Sequence, residues 1–245
     1  QVLTIEPYTK IISKFTIYDA FCKGVILPPK IQFVKSDKSL NDNDIIDICK
    51  IHIKDLYYKK IIVWCGIIDK CYQLAKLWKD SFPDFKIAID TSKDDNQQFD
   101  IYSKTDQNAI LFCACKHREG SDIKNLDACV FLDKVENRSS QTFIQCIGRV
   151  LRKDQDNNKK YGLILDLKAS SCIKLCDRMN EYLTSNVNFP WKYNYQNIKI
   201  GTKSVTSHCL HLQKVENVIK TEPTYSITDL IKNFVRKCPD KTEYI

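Results

Sequence analysis

The chain has 245 residues, of which 43% are hydrophobic and 28% are charged. This length and composition allow one α/β domain with a large hydrophobic core, or such a domain with a smaller appendage. No apolar run approaches the roughly 20 residues that a membrane-spanning helix needs, and the start of the chain lacks the layout of a secretory signal peptide. The formal net charge of +8 favours a polyanionic partner, although the lysines alternate with acidic residues and form no basic block.

The first part of the chain, residues 1–58, is predicted to be an N-terminal lead. Within it, the sequence "GVILPPKIQFV" at residues 24–34 places a Pro-Pro pair before a β-like run. Because proline has no backbone N–H to donate to a neighbouring strand, we predict an edge strand here.

From residue 59 onward, short apolar runs alternate with amphipathic stretches. The runs predict strands and the stretches predict helices. The predicted strands span 60–65, 86–90, 108–115, 128–133 and 161–167, and the predicted helices span 68–82, 96–105, 139–152 and 170–184. Continuous apolar strands separated by helices indicate an α/β fold, in which a parallel sheet is covered by helices on both faces. Ligands of such sheets bind at the carboxyl ends of the strands.

The pattern changes near residue 188. After about residue 190 the sequence alternates as β-strands do, and a helix is predicted over 226–238 with Ser226 as its N-cap. We therefore divide the chain into the lead (1–58), a central domain (59–188) and a small C-terminal extension (189–245). The chain starts at Gln1 and its tail stops without a turn, so we expect a piece of a longer protein.

The twelve cysteines are scattered, and many lie in apolar runs such as "IIVWCG" and "LFCAC". This distribution is typical of small buried side chains in a reducing compartment and not of a disulfide framework. We expect an intracellular protein, located in the cytoplasm, the nucleus, or a virion or viral factory.

The sequence contains no phosphate-binding loop of the common kinds. None of its six glycines is followed by Lys-Ser or Lys-Thr, and no G-x-G-x-x-G opens a helix. The chain by itself therefore lacks the usual cradle for a Mg-nucleotide, and a dinucleotide-binding oxidoreductase is disfavoured.

The sequence "QCIGRVLR" at residues 145–152 places Gln145, Arg149 and Arg152 at positions i, i+4 and i+7 of a helix. All three side chains then project from one face, and Gly148 permits close approach of another backbone. Two guanidinium groups suit a polyphosphate whose charge moves toward the leaving group in the transition state. The alternative is an ordinary surface helix that carries two arginines.

The motifs "REGSDI" (118–123) and "NRSSQTFIQCIGRVLR" (137–152) resemble motifs V and VI of superfamily 2 helicases. The sequence "KIIVWCGIIDKC" (60–71) resembles their motif IV. The similarity is to members with R-E-G-x-D-I and Q-x-x-G-R-x-x-R, such as the excision-repair helicase subunit, type III restriction motors and helicase-like proteins of large DNA viruses. The resemblance covers residues 60–167 and implies the second of two RecA-like lobes.

The resemblance also implies roles for individual residues. Arg149 and Arg152 would be arginine fingers, which reach ATP and Mg²⁺ held mainly on the preceding lobe. Gln145 would assist at the γ-phosphate, Gly120 would shape the motif V turn, and Asp122 would accept from the ribose or orient a finger.

Loops after the motif IV and motif V strands would contact the nucleic-acid backbone, through Gly66, Lys116 and Arg118. The sequence departs from the family at one position. Many relatives carry a threonine eight residues before the motif V aspartate, and here that residue is Ala114. The usual phosphate contact at this position is therefore in doubt.

Three further groups of residues are candidate sites, with packing in the core as the alternative. Cys172, Cys176, His208, Cys209 and His211 could bind zinc, but their spacing is not that of a zinc finger, and we predict no metal site. His117 could be a general base, although the sequence places no nucleophile beside it. An aromatic group could stack on bases, with an aromatic core as the alternative reading; it comprises Tyr182, Trp191, Tyr193 and Tyr195, together with Lys192.

We predict the C-terminal RecA-like lobe of an ATP-dependent nucleic-acid helicase or translocase. The full protein would hydrolyse ATP and move along a nucleic acid, most simply a single strand of DNA or RNA, and this chain alone would be inactive. The alternative is a catalytically silent, helicase-like scaffold module in a transcription, packaging or repair complex.

Overall fold

A computed structural model describes residues 16–106, 108–118, 121–133, 140–167 and 190–214. These residues form one eight-stranded sheet with helices on both faces. The strands are β1 (Pro29–Ser36), β2 (Lys60–Trp64), β3 (Lys86–Ile89), β4 (Ala109–Cys113), β5 (Ala128–Phe131), β6 (Gly162–Asp166), β7 (Trp191–Ile200) and β8 (Lys203–Leu212). The helices are α1 (Ile17–Cys22), α2 (Asp42–Ile53), α3 (Ile68–Ser81), α4 (Gln97–Lys104) and α5 (Ser140–Val150).

The strand order is β3-β4-β2-β5-β6-β1-β8-β7. Strands β1 to β6 run parallel, whereas β8 runs antiparallel to both β1 and β7. The predicted α/β class is therefore confirmed, and each strand and helix predicted between residues 60 and 167 is present within two residues of its predicted bounds. The predicted helices over 170–184 and 226–238 lie outside the described residues.

The apolar strands are buried because helices cover both faces of the sheet. All five residues of β2 are buried, and successive side chains point to opposite faces. Ile61 and Val63 pack in one core with residues of α2 and α3, whereas Ile62 and Trp64 pack in the other core with residues of α5. Two-sided burial explains why these strands read as continuous hydrophobic runs.

The prediction of an edge strand near the Pro-Pro pair is wrong. Strand β1 lies inside the sheet, where it pairs with β6 on one side and with β8 on the other. Pro29 is the first residue of the strand, so only one amide is lost and the following residues can still bond on both sides. Pro28 contributes its carbonyl, which accepts a hydrogen bond from Gly162 N at 3.1 Å.

Two helices of the lead were missed, although both begin with a capping box. Thr16 and Asp19 cap α1 reciprocally, and Asn41 and Asp44 do the same for α2. The sheet also extends across the domain limits predicted at residues 58 and 188. Strand β1 lies before the first limit and β8 lies after the second, and both are hydrogen-bonded within the sheet. The three-part division itself stays a prediction.

Candidate functional site

The predicted site lies where the parallel strands end. The loops after β2, β3, β4 and β5 meet at one edge of the sheet, which we call the carboxyl edge. Polar residues collect there: Gly66 follows β2, Asp90 follows β3, Lys116 follows β4 and Asp133 follows β5. Parallel strands place these loops side by side, as the sequence pattern predicts.

Gly66 connects three of the strand ends. Its φ of +77° is in the region that favours glycine, and a Cβ built on it would lie 2.8 Å from the Cβ of Asp133. Its backbone N donates to Ala114 O at 3.2 Å. Only glycine fits this position without displacing the loop after β5.

Lys116 is held by the loop after β3. Its Nζ lies 2.6 Å from Asp90 Oδ1 and 3.3 Å from Thr91 O, and it also donates to Asn96 Oδ1. The Lys116 side chain is 32% exposed and the Asp90 side chain is fully buried. The ammonium group is therefore anchored at the carboxyl edge, with about a third of the side chain open to a ligand.

His117 lies between two polar side chains. Its Nε2 is 2.5 Å from Asp90 Oδ2, and its Nδ1 is 2.6 Å from Ser121 Oγ. Because the carboxylate can only accept, these contacts fit a neutral imidazole that donates from Nε2 and accepts the Ser121 hydroxyl at Nδ1. Burial lowers the pKa of His117 despite Asp90, and the ring stacks on Phe99 with centroids 3.9 Å apart.

Sequence analysis identified no hydroxyl partner for His117, whereas in the structure the Ser121 hydroxyl lies 2.6 Å from its Nδ1. The three groups form a chain from Asp90 to the β4–β5 loop (residues 114–127). This chain ties the loop after β3 to the loop that carries motif V, because His117 bonds to both.

Arg118 points inward instead of toward solvent. Its Nη2 lies 2.8 Å from Asp133 Oδ2, and only 16% of its side chain is exposed. Its Nε is buried and has no hydrogen-bond partner among the described residues. In this conformation, Arg118 supports the β4–β5 loop and does not project toward a nucleic acid.

Arg149 is also buried, with 8% of its surface exposed. Its Nε donates to Arg118 O at 3.3 Å, and its Nη1 donates to Ser121 O. The resemblance implies that this side chain reaches ATP on the preceding lobe, and that role stays a prediction. In the structure, the guanidinium holds two backbone carbonyls of the β4–β5 loop.

Arg152 differs, because 51% of its side chain is exposed. Its Nη1 forms an ion pair with Asp122 Oδ1, and the Asp122 side chain is 74% exposed. Of the two suggested roles of Asp122, this contact is the geometry that orients an arginine. Water screens exposed pairs of this kind, so the guanidinium can change partner at little cost.

The remaining predicted residues of this site lie on or near α5 and in the β4–β5 loop. Gln145 is half-buried on α5, and its Oε1 is buried without a hydrogen-bond partner in the described part of the chain. Gly148 is exposed, and no described atom lies within 4 Å of the position of an added Cβ. Gly120 lies outside the described residues.

The aromatic group after residue 190 is divided between core and surface. Trp191 is 3% exposed and belongs to the core, whereas Tyr195 is 46% exposed. Tyr193 donates to or accepts from His208 Nδ1 at 2.7 Å. Lys192 is exposed on the same strand, and Tyr182 lies outside the described residues.

No cluster of three or more potential metal ligands occurs among the residues that the structure describes. Cys172 and Cys176 are not among them. His208, Cys209 and His211 follow one another on β8, and the first two are buried.

Sequence reasoning missed the carboxylates that organise the site. Asp90 and Asp133 are 0% and 4% exposed, and both are the polar residue at the end of an apolar strand run, "KIAID" and "ACVFLD". A lone acidic residue directly after a buried parallel strand was the available signal. Its partners, Lys116 and Arg118, could not be assigned without the fold.

Residues 43–154 match the family model described as the helicase conserved C-terminal domain. A comparison with curated protein sequences found no match. Within the described ranges, no helix is both long and apolar enough to cross a membrane.

Solved structures with a similar fold include a fragment of a protein described as the HsdR subunit of a type I restriction enzyme from Vibrio vulnificus YJ016. The TM-score is 0.55 at 17% identity, and the match covers 70% of this chain and 37% of that one. The chain thus spans little more than a third of that relative. This likeness shows the fold.

Two weaker matches are to domain 2 of the DEAD-box helicase Mss116p bound to an RNA duplex and to the Escherichia coli DEAD-box protein SrmB. For Mss116p the identity is 19%, the TM-score is 0.43, and 57% of this chain and 55% of that chain are covered. For SrmB the identity is 14%, the TM-score is 0.45, and the shares are 59% and 81%.

Proposed function

We propose that this chain is the second RecA-like lobe of an ATP-dependent helicase or translocase of superfamily 2, because residues 43–154 match the family model of the helicase conserved C-terminal domain. In this proposal ATP and Mg²⁺ bind mainly to a preceding RecA-like lobe of the same protein. The present lobe completes the site when the two lobes close, and it contacts the nucleic acid.

The observation that carries the proposal is the environment of Arg152. The residue follows the last turn of α5, its side chain is half exposed, and its described ion-pair partner is the exposed Asp122. A guanidinium held in this way is oriented but not neutralised in the core. It can therefore transfer to the γ-phosphate, where it stabilises charge that develops in the transition state.

Arg149 takes a different part in this proposal. Its guanidinium fixes the backbone of Arg118 and Ser121, and it reaches the nucleotide only if lobe closure releases those carbonyls. Gln145 lies one turn before it, and its Oε1, which has no partner among the described residues, can accept from a water or a ligand group. Gly120 and Asp122 would complete the nucleotide-facing loop.

The proposed nucleic-acid contacts lie on the carboxyl edge. We place these contacts at the Lys116 side chain, which is about a third exposed although it pairs with the buried Asp90, and at the loops of Gly66 and Arg118. We propose a single strand of DNA or RNA as the ligand, contacted through its backbone and not through its bases.

Arg152→Ala in the full-length protein tests the proposal. We expect kcat for ATP hydrolysis to fall by about 10²-fold or more while the KM for ATP changes little, because the lost charge acts mainly on the transition state. Arg152→Lys should restore little activity, because lysine lacks the planar fork. The melting temperature should not change, since the side chain is half exposed.

A catalytically silent scaffold remains the second candidate. The inward orientation of Arg118 and Arg149 favours it, because both guanidinium groups are occupied by internal contacts. The same measurement separates the two functions. Near-normal ATPase activity of Arg152→Ala, or no ATPase activity in the wild-type protein, would favour the scaffold.

A further inference from the structure

Lys159 is a buried lysine with three backbone partners. Its surface is 5% exposed, and its Nζ lies 2.6 Å from Leu126 O and 3.3 Å from Arg152 O, and also donates to Val150 O. All three donors of the ammonium group are therefore used on carbonyls. Buried lysines are rare unless such partners are present.

Two of these carbonyls belong to the end of α5. The last carbonyls of a helix lack partners within the helix, and a positive charge there is favourable to the helix dipole. Lys159 binds the carbonyls of Val150 and Arg152, and Leu27 N donates to the intervening Leu151 O at 2.8 Å. The end of α5 is thus fixed by groups that come from outside the helix.

The space around this helix end is also filled. A Cβ built on Gly162 would lie 2.6 Å from Val150 O, so the first residue of β6 packs directly against it. The third carbonyl belongs to Leu126, just before β5. The Lys159 ammonium group therefore connects the end of α5 to the segment that leads into β5.

The turn that carries Lys159 is closed by Asp154. Its Oδ2 accepts from Tyr58 OH at 2.6 Å and from Asn158 N at 2.8 Å, and both of its carboxylate oxygens lie 3.4 Å from Lys159 N. These bonds place the lysine backbone beneath the helix, so that its side chain can reach the three carbonyls.

We propose that Lys159 is a positioning residue for the arginines of α5: its ammonium group binds the carbonyls that flank them and sets where Arg149 and Arg152 point. This inference rests on the proposed function. Lys159 does not contact the nucleotide. It acts through the backbone of residues 150–152, and its charge is required because the carbonyls of the helix end are negative.

The charge of Lys159 can be removed by raising the pH. Burial lowers its pKa to about 8, against the opposing effects of Asp127, Asp154 and Cys129. The unfolded chain keeps its proton up to about pH 10.4, so folding stability rises as the pH increases from about 8 to 10. If the charged form of Lys159 positions the arginines, turnover should show the opposite trend and fall above about pH 8.

The experiment compares Lys159→Met, Lys159→Arg and Lys160→Met in the full-length protein. Lys160 is the matched control, because it is the next residue and its side chain is exposed, with Nζ 3.2 Å from Asn157 O. The kcat and KM for ATP are measured with a single strand present between pH 6.5 and 9.5, together with the melting temperature.

We expect Lys159→Met to lower kcat by about 10-fold or more with little change in KM, because small displacements of catalytic groups are costly. Lys160→Met should behave as the wild type. In the wild type kcat should fall above about pH 8, and Lys159→Arg, which does not titrate, should not show this fall. If Lys159→Met does not fold, the wild-type pH profile and Lys159→Arg decide.

The inference is overturned if kcat of the wild type is constant from pH 7 to 9, or if the loss in Lys159→Met follows its loss of melting temperature. Arg152→Ala is measured in the same series. If it loses turnover and Lys159→Met does not, only the role of Lys159 fails, whereas full activity of Arg152→Ala rejects the proposed function itself.

Discussion

The two arginines of α5 occupy different environments, although they are three residues apart. Arg149 is buried and bound to carbonyls of the β4–β5 loop, whereas Arg152 is half exposed and paired with Asp122. The difference lies in their partners: Arg149 bonds to backbone carbonyls, whereas Arg152 follows the end of α5 and pairs with an exposed carboxylate. The two residues should therefore respond differently to substitution.

Arg149→Ala should destabilise the fold by about 1–3 kcal/mol, because it leaves two loop carbonyls without their charged donor. Arg152→Ala is the matched control and should leave the free energy of unfolding within about 0.5 kcal/mol of the wild type. Urea unfolding of this chain measures both. Equal stability of the two variants would contradict the internal role of Arg149.

Gly66→Ala should cost about 2–3 kcal/mol of folding stability. The backbone at Gly66 has a positive φ, and an added Cβ would overlap the Cβ of Asp133. Gly201→Ala is the control, because Gly201 also has a positive φ of +57° but no described atom within 4 Å. It should lose only about 1 kcal/mol, from the backbone strain alone. Similar losses by thermal melting would show that the contact with Asp133 is unimportant.

At the scale of whole elements, β1 and β8 join the flanks of the chain to the central sheet. Their junction contains buried polar groups: Ser207 Oγ lies 3.2 Å from Gln32 Oε1 and 3.0 Å from His52 Nε2, and the ring of His208 stacks on Phe33. Burial lowers the pKa of both His52 and His208 to about 4. This junction is therefore sensitive to acid.

The stability of the fold should decrease as the pH falls from about 6.5 to 4. In that window the unfolded chain binds protons at these histidines and the folded chain does not, so protonation favours unfolding. We expect His208→Gln to remove about 1–3 kcal/mol of the difference between pH 7 and pH 4.5. Urea unfolding at both pH values tests this, and an unchanged difference in the variant would show that His208 is not responsible.

At the scale of the whole molecule, positive charge is present at both ends of the sheet. Lys116 lies at the carboxyl edge, whereas Lys50, Lys54 and Lys59 line a shallow depression of about 200 Å³ at the opposite end of the strands. Both could attract a nucleic acid over a distance, but Lys116 lies in the loop whose backbone carbonyls bind Arg149. Salt dependence can distinguish steering charge from direct contact.

Single-strand binding by this chain should be modest and should weaken steeply with salt, with log K linear in log salt concentration. Lys116→Ala should reduce the slope by about one, as expected for one lost phosphate contact. Lys54→Ala, at the opposite end of the strands, should leave the slope unchanged. Fluorescence anisotropy with a labelled oligonucleotide gives both slopes. Binding that does not depend on salt would argue against backbone contacts.

Local sequence determined the central elements, because the strands are buried on both faces and the helices on one. A run such as residues 60–64 and an amphipathic stretch such as residues 68–81 each carry their own periodicity. The motifs within residues 118–152 also suggested the family whose model matches residues 43–154. These signals depend only on neighbours along the chain, so they can be read without a fold.

The tertiary structure alone decided which side chains meet. Strand β1 lies inside the sheet because β8, far along the chain, pairs with it from Lys30↔His211 to Ser36↔Val205, and no local pattern at Pro28 and Pro29 encodes that pairing. Likewise, Asp90 and Asp133 pair with Lys116 and Arg118 because the loops after β3, β4 and β5 converge. Contacts between residues distant in sequence depend on how the strands are ordered. For that reason, only the folded chain shows the inward orientation of Arg149 and the buried partners of Lys159.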